Sequence, residues 1–290
     1  MTITVTGASG KLGSLIVRQL LQKVEANDIT LCVRDPKKAL LYQEWDVDIR
    51  QIDYDSPESL QQAFTHTSRL LFISSPHMDD TVRIRQHSHV VEAAKKANVE
   101  HIIYTSFAFP EKSDISLTHL HLATEHAIRT TGIPYTFLRN ALYADFIAQL
   151  GLGVATRTGE LITYPGIDGF NSVTREDLAL AAANILTNDG HKNQTYELTA
   201  SRPWHFADLV QALTEITGAP ITHREDSHAD NWLYRFLSRI DTTSTTNDLE
   251  TLIEKPTVSL YEAVRQILTD KREDNTRTKS SGLGSGFHIK

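Results

Sequence analysis

The sequence lacks the features that mark secreted and membrane proteins. Its single cysteine, Cys32, has no partner within the chain for a disulfide, and it lies in an apolar run, which favours a small buried side chain. No apolar run approaches the roughly 20 residues of a membrane-spanning helix, and the first residues carry no basic segment typical of a secretory signal. We therefore expect a cytoplasmic protein with no membrane partner.

A surplus of positive charge is also missing. The 290 residues contain 29 Lys and Arg against 36 Asp and Glu, which gives a net charge of −7. Because nucleic-acid binding proteins neutralise phosphates with basic side chains, this balance argues against a nucleic-acid partner. A hydrophobic content of 40% and this length allow a sizeable core. The sequence leaves a homodimer open.

Short β-branched runs alternate with longer amphipathic segments over the first half of the chain. The predicted strands are Thr2–Thr6, Ile29–Arg34, Val47–Ile52, Arg69–Ser74, Val99–Thr105 and Pro134–Leu138. The segments between them predict helices, among them Lys11–Lys23, Asp79–Asn98 and Leu117–Thr131. Strict alternation of this kind predicts an α/β fold with a doubly wound parallel sheet, the Rossmann architecture.

The alternation weakens after Asn140. Helices are predicted at Arg175–Leu186, His205–Thr217 and Ser227–Ile240, and a strand at Gln194–Thr199. We expect a Rossmann domain over residues 1–268 with a smaller C-terminal α/β cap, mainly 141–268, interleaved with the sheet. Residues 269–290 are polar, with almost no apolar side chains, and are predicted to be a disordered tail.

A glycine-rich loop connects the first predicted strand to the first predicted helix. Gly7 permits the tight turn out of the strand, Gly10 lets the backbone approach a pyrophosphate, and Gly13 lets the helix pack close to the sheet. A helix N-terminus offers free N–H groups and a positive dipole to phosphates. The strand–loop–helix context favours a dinucleotide site over a turn without a ligand. The residues expected to hold the cofactor are Gly7, Ala8, Ser9, Gly10, Lys11, Leu12 and Gly13.

The end of the second strand distinguishes NADPH from NADH. Sites specific for NAD carry an acidic residue here for the ribose 2′-hydroxyl, whereas this chain has Arg34. A guanidinium can bind a 2′-phosphate with two parallel hydrogen bonds, so NADP(H) is favoured over NAD(H). Asp35, one residue later, could hold a 2′-hydroxyl or begin the next helix. Asp53, after the third strand, could accept from the adenine amino group.

Polar residues follow two further strands. Ser74 and Ser75 close the fourth predicted strand and Thr105 ends the fifth. Open α/β sheets bind ligands at the carboxyl ends of their strands. Each of these residues alone is compatible with turn chemistry, but together they predict a track for the cofactor.

The proton donor of the short-chain dehydrogenases is missing. Those enzymes carry Tyr-x-x-x-Lys on the helix after the fifth strand, and the segment Leu117–Thr131 contains neither residue. It carries His119, His121 and His126 instead, without the i, i+4 spacing of a zinc helix. We therefore expect no metal site, and the sequence identifies no catalytic residue.

The chain resembles the NmrA-like family of atypical short-chain dehydrogenases and, within it, the NADPH:quinone oxidoreductases of type 2. The resemblance is collinear from residue 1 to about 268 and rests on the segments VTGASGKLG, LCVRDPKKA, QIDYDSPESL, LLFISSP, HIIYTSF, HLATEHAI, GIPYTFLRNALY, TREDLALAAANIL, TYELTA and KPTVSLYEAV. It implies cofactor contacts for Gly7–Leu12, Arg34, Ser74 and Ser75, and a place near the cofactor cleft for Arg175. The segment Leu138–Tyr143 would shape the acceptor pocket. His126 departs from the family pattern, which has Lys there.

The resemblance implies hydride transfer from NADPH to a quinone or a similar small aromatic molecule. An apolar slot for a flat ring is expected near Phe107, Phe109, Tyr143 and Phe146, with core packing as the alternative for these aromatic side chains. Asn140 is expected in the same substrate pocket. The family also contains proteins that sense NADP(H) without turning it over, so a regulatory sensor is the alternative function. A third reading is an isomerase or reductase acting on another small aromatic metabolite.

Overall fold

The computed structural model describes residues 1–269, so the predicted polar tail lies, apart from Thr269, outside the described residues. The strands are β1 (Ile3–Thr6), β2 (Ile29–Val33), β3 (Asp48–Gln51), β4 (Arg69–Phe72), β5 (His101–Phe107), β6 (Tyr135–Asn140), β7 (Glu160–Thr163), β8 (Gln194–Leu198) and β9 (Thr222–Glu225). The α-helices are α1 (Lys11–Leu20), α2 (Pro57–Ala63), α3 (Asp80–Lys96), α4 (Ser116–Thr130), α5 (Leu152–Thr158), α6 (Arg175–Thr187), α7 (Phe206–Thr217), α8 (Trp232–Leu237) and α9 (Asp248–Ile253). Residues 260–269 are also helical.

Seven strands form one parallel sheet in the order β3-β2-β1-β4-β5-β6-β8. In the centre, Val5 of β1 lies between Leu31 of β2 and Leu71 of β4. All of β1 and β2 is buried, as expected for parallel strands that are covered on both faces. The chain order reverses between β1 and β4, and open α/β sheets bind ligands at such a point. The predicted Rossmann sheet is therefore confirmed.

Helices cover the two faces of this sheet in two groups. On one face α1 packs through Leu12, Ile16 and Leu20 in a cluster that also contains residues of α6 and α9. On the other face a second cluster includes Leu60 of α2, Val90 of α3 and further residues of the strands. The apolar side of this amphipathic helix is thus buried, and α1 is fixed where the glycine loop ends.

The chain divides into two units. The larger contains residues 1–143, 171–203 and 236–257, and the smaller contains 144–170, 204–235 and the described residues from 258 onward. The segments α6 and β8, which we expected in the cap, belong to the larger unit, where β8 pairs in parallel with β6. The smaller unit has its own two-stranded parallel sheet of β7 and β9.

The single helix predicted over Ser227–Ile240 is wrong. A 3₁₀ turn covers Ser227–Ala229 and α8 begins only at Trp232. The side chain of Asp226 accepts from the His228 N–H, and the amide oxygen of Asn231 accepts from the Leu233 N–H. Two successive side-chain caps therefore start two short helices where hydrophobic periodicity alone predicts one.

The structure describes the single cysteine and the hydropathy of the helices. Cys32 is buried in β2, and burial raises the pKa of its thiol to about 12. Among residues 1–269, no helix combines the length and hydropathy needed to cross a membrane.

Buried His87 on α3 makes stability depend on pH. Its Nε2 accepts from the Ser75 N–H at 2.9 Å and its Nδ1 lies 2.9 Å from the Thr124 hydroxyl. Burial, and then the charge of Arg83, lower its pKa from 6.5 to about 3. The unfolded chain therefore takes up this proton first as the solution is acidified, and the native state loses stability from about pH 6.5 down towards 3.

Replacing His87 by Gln should flatten that dependence. One proton corresponds to about 1.4 kcal/mol per pH unit, so the unfolding free energy of His87→Gln should fall with acidification by roughly that much less per unit than the wild type. Urea unfolding at pH 7.5, 5.5 and 4.5 measures the two slopes. Equal slopes would show that this imidazole is not a buried neutral group.

Candidate functional site

The glycine loop adopts a geometry that only glycine allows. Gly7 has a φ of +61°, in the left-handed region, and its carbonyl accepts from the Gly10 N–H at 2.9 Å. A Cβ at Gly13 would lie 2.2 Å from the Gly7 oxygen, which is inside the contact distance. Because position 13 must be glycine, α1 lies directly against the end of β1.

The first turn of α1 leaves backbone donors for a ligand. The first hydrogen bond of the helix runs from the Ser14 N–H to the Gly10 carbonyl at 2.9 Å. The amides of Leu12 and Gly13 precede it, so they have no carbonyl partner within the helix. Ala8 differs from the prediction, because it is fully buried and its N–H donates to the Cys32 carbonyl. Ala8 therefore supports the loop and offers no N–H to a phosphate.

A cavity of about 960 Å³ opens above this loop, and all the residues that line it belong to the larger unit. At one end it is lined by Arg34, Lys38 and Asp53. The carboxylate of Asp35 instead accepts from the Lys37 N–H at 3.0 Å, so it caps the following 3₁₀ turn. Arg34 and Lys38 therefore face this end of the cavity together with Asp53, and Asp35, the acidic residue that follows β2, is not among the lining residues.

The serines after β4 lie at the middle of the cavity. Ser74 and Ser75 both line it, and the Ser74 N–H donates to the Thr105 hydroxyl at 2.9 Å. The Ser75 hydroxyl donates to the amide oxygen of Gln86. Thr105 is buried and does not line the cavity, so it positions the loop after β4 through this hydrogen bond.

Aromatic and amide side chains line the other end of the cavity. These are Phe107, Asn140 and Tyr143, with Arg175 4.2 Å above the Tyr143 ring. The Asn140 Oδ1 is buried and has no hydrogen-bond partner among residues 1–269, so it is suited to accept from a bound molecule.

Two further residues expected in this pocket do not line it: Phe109 is absent from the cavity lining, and Phe146 lies in the smaller unit. It is buried, and its ring lies 5.5 Å from that of Phe170 and 6.0 Å from that of Trp204. Phe146 therefore serves as a core residue of that unit and is not among the side chains that line the cavity.

Helix α4 presents Leu117 and His121 to the cavity. His126, which stands at the family's lysine position, is exposed. Burial, then the neighbouring His87 and Arg83, hold the pKa of His121 well below its usual value, so this ring is neutral at physiological pH. The helix therefore carries no counterpart of the dehydrogenase Tyr–Lys pair.

A buried ionic cluster around Arg139 adjoins the residues that line the cavity. The guanidinium binds both oxygens of Glu125 at 2.8 and 2.7 Å, and it also contacts Glu111 and Glu197 at 2.8 and 2.9 Å. Glu125 accepts in addition from the hydroxyl of Ser106, which lines the cavity. Breaking such a pair would leave an unpaired buried charge, so the cluster fixes the ends of β5 and β6 rigidly.

Sequence reasoning missed several residues that line the cavity. They are Lys38, Ile52, Tyr54, Met78, Arg83 and Gln86. Lys38, Tyr54 and Met78 lie two to four residues beyond a predicted strand end, and no motif in the sequence marks them as part of a site. The hydroxyl of Tyr54 lies 2.6 Å from the Thr6 hydroxyl and 2.7 Å from the Ile73 carbonyl, so it ties together the strand ends on either side of the switch point.

Comparison with known proteins gives the family. A model described as the NmrA-like family matches residues 1–227. The chain belongs to the NmrA-like family. Quinone oxidoreductase 2 of Escherichia coli strain K12 is 35% identical over 229 residues, which cover 79% of this chain and 79% of that protein.

Two solved structures resemble the whole fold. The triphenylmethane reductase of Citrobacter sp., solved in complex with NADP(H), is 46% identical with a TM-score of 0.86 and covers 92% of this chain and all of that one. The NADPH-dependent quinone oxidoreductase of Escherichia coli, solved with NADPH, is 31% identical with a TM-score of 0.83 and again covers 92% and 100%.

The site of this NmrA-like chain fits an NADP(H) molecule. The amides of Leu12 and Gly13, which have no carbonyl partner within the helix, suit a pyrophosphate, and Arg34 and Lys38 suit a 2′-phosphate. Asn140 Oδ1 provides a buried acceptor at the opposite end. The cavity thus offers each part of the dinucleotide a group of the matching chemistry.

Removing the guanidinium at the phosphate end should change the nucleotide preference. We expect Arg34→Ala to weaken NADPH binding by roughly 10- to 100-fold, the worth of a charged hydrogen-bonded pair, and to change NADH binding far less. Calorimetric titration measures both. Lys37→Ala, an exposed residue outside the cavity, is the control. Equal losses for the two nucleotides would contradict the phosphate contact.

Adding one methyl group at Gly13 should disrupt the loop. Gly13→Ala should destabilise the fold by about 1–3 kcal/mol and abolish NADPH binding, because its Cβ would overlap the Gly7 oxygen. Gly153→Ala is the matched control, since that helical position has only the Arg157 side chain at 3.7 Å and should gain up to about 1 kcal/mol. Thermal unfolding and nucleotide titration test both. An unchanged Gly13→Ala protein would refute the packing argument.

Proposed function

We propose that this chain is an NADPH-dependent oxidoreductase whose acceptor is a quinone or a similar flat aromatic molecule. NADPH, when bound, supplies a hydride to that acceptor. The observation that carries the proposal is one continuous cavity, which runs from the glycine loop to an end lined by Phe107, Asn140 and Tyr143. The quinone and triphenylmethane reductases among the relatives support the same class of reaction.

The chemistry of the acceptor follows from what α4 lacks. A ketone that receives a hydride becomes a strongly basic alkoxide, so its reduction needs an acid held at the oxygen. A quinone becomes a resonance-stabilised hydroquinone anion that water can protonate, and a cationic triarylmethane dye becomes a neutral molecule. Acceptors of these kinds match a site in which α4 carries a neutral His121 in place of the Tyr–Lys pair.

The aromatic end is built to hold a flat ring. Phe107 and Tyr143 provide ring faces, and the guanidinium of Arg175, 4.2 Å above Tyr143, orients that ring. The Arg139 cluster keeps the strand ends that carry Phe107 and Asn140 in place. The chain therefore contributes binding and orientation, which lower the barrier by fixing the reacting atoms close together.

Acceptor-dependent oxidation of NADPH tests this function. We expect the purified protein to oxidise NADPH with 1,4-benzoquinone and with a cationic triarylmethane dye, and to leave an unactivated ketone such as cyclohexanone unreduced. Absorbance of the reduced nicotinamide reports turnover. Tight NADPH binding without turnover of any acceptor would refute the oxidoreductase and support the NADP(H) sensor. The homodimer, the cytoplasmic location and the absence of a nucleic-acid partner stay predictions.

A further inference from the structure

Two polar side chains line the cavity without a part in the proposed binding of NADPH. His121 comes from α4 and Arg83 from α3. Both belong to the larger unit, and Arg83 lies close enough for its charge to lower the pKa of His121. The protons they present to the cavity depend on the hydrogen bonds behind them.

The chain of hydrogen bonds begins at His87. The backbone N–H of Ser75 donates to its Nε2 at 2.9 Å, so this nitrogen carries no proton. Burial holds the pKa of His87 near 3, and the ring is neutral. Its one proton therefore lies on Nδ1, which donates to the hydroxyl of Thr124 at 2.9 Å.

Tyr104 passes this constraint on to His121. Its hydroxyl lies 3.5 Å from His87 Nδ1 and 2.7 Å from His121 Nδ1. Because His87 Nδ1 already carries a proton, the Tyr104 hydroxyl can only accept from it, and its own proton is left to donate to His121 Nδ1 or to the neighbouring Thr124 hydroxyl. Donation along the 2.7 Å contact to His121 Nδ1 places the proton of the neutral imidazole on Nε2.

Arg83 presents a second donor. Its Nη1 pairs with the Asp80 carboxylate at 3.2 Å, and the side chain is only 14% exposed. Its Nε is buried and has no acceptor within the described chain. A buried guanidinium N–H without a partner is costly, and a bound oxygen in the cavity would satisfy it.

We propose that His121 and Arg83 form an oxyanion site for a quinone acceptor, with both N–H groups directed at the oxygen that becomes negative during reduction. This inference rests on the proposed function and refines its substrate class. The hydride brings two electrons and one proton to the quinone. The C4–H bond of the nicotinamide would break and an O–H bond would form at the far quinone oxygen. The ring would become aromatic with the electron pair on the oxygen held by the site, and a proton from water would complete the hydroquinone. Donors fixed in advance at a developing charge stabilise the transition state.

The same pair should discriminate between acceptors. A quinone gains a negative oxygen, whereas a cationic triarylmethane dye loses its positive charge and forms no oxyanion. The guanidinium of Arg83 therefore favours the first reaction and repels the second substrate. The ratio of kcat/KM for 1,4-benzoquinone to that for a cationic dye measures this preference directly.

Three variants separate the proposal from a general loss of activity. His121→Phe keeps a ring and removes the donor, and Arg83→Gln removes the charge. Arg85→Gln is the control, because Arg85 lies two residues along α3, pairs with Asp55 and does not line the cavity. We expect His121→Phe to lose on the order of 100-fold in kcat/KM for the quinone and less than about threefold for the dye.

Arg83→Gln should lower the quinone rate and raise the dye rate, and Arg85→Gln should change neither. Calorimetric titration should give the same affinity for NADPH in all three variants. Parallel losses for both acceptors, or an unchanged ratio in Arg83→Gln, would overturn the oxyanion site. If His121→Phe does not fold, the comparison of Arg83→Gln with its control Arg85→Gln still tests the proposal.

A spectroscopic titration tests the site without turnover. The phenolate of 4-nitrophenol is coloured and resembles the anion that a quinone yields. In the presence of NADP⁺, the wild-type protein should lower the apparent pKa of the probe, and His121→Phe and Arg83→Gln should do so less. Equal values with wild type and variants would refute the oxyanion site. A wild-type protein that lowers the probe's pKa but reduces no acceptor would refute only the proposed function.

Discussion

The contact between α1 and the turn that leaves β1 determines where everything else in the site lies. No Cβ fits between Gly13 and the carbonyl of Gly7, so the helix begins directly beside the end of the strand. That position places the amides of Leu12 and Gly13 at the switch point of the sheet. A phosphate bound there fixes which cavity end receives the adenosine and which receives the nicotinamide.

The rest of the cavity is shaped by polar side chains that hold neighbouring strand ends. The Thr6 hydroxyl accepts from the Ile73 N–H and contacts Tyr54, and Thr105 accepts from Ser74. These groups satisfy backbone donors where the ladder hydrogen bonds end, which keeps the loops from collapsing into the cavity. The same hydroxyl groups therefore hold the carboxyl ends of the strands in place and keep the cavity above them open.

Much of this architecture could be predicted from the sequence because its signals are local. Alternating β-branched and amphipathic runs predicted the sheet, and glycine spacing predicted the loop. The weaker predictions failed where tertiary pairing decides. The sequence placed β8 in the cap, but this strand pairs with β6. Phe146 was expected in the pocket because it is aromatic and lies near Tyr143 in the sequence, but its ring packs with Phe170 and Trp204.

Both α3 and α4 were predicted as helices, but the side chains that they contribute to the cavity could not be predicted from the sequence. The hydrogen bonds that lead to His121 involve Ser75, His87 and Tyr104, which come from three separate segments. Their hydrogen bonds depend on sub-ångström placement, and no spacing along the chain encodes it. From the sequence, the histidines of α4 show only that they lack the spacing of a metal site.

The most direct measurement of the central claim is a crystal structure of the protein grown with NADPH. The account predicts electron density for the pyrophosphate over the first turn of α1, for the 2′-phosphate beside Arg34, and for the nicotinamide near Asn140. A nucleotide bound elsewhere, or lying in the opposite direction along the cavity, would contradict it.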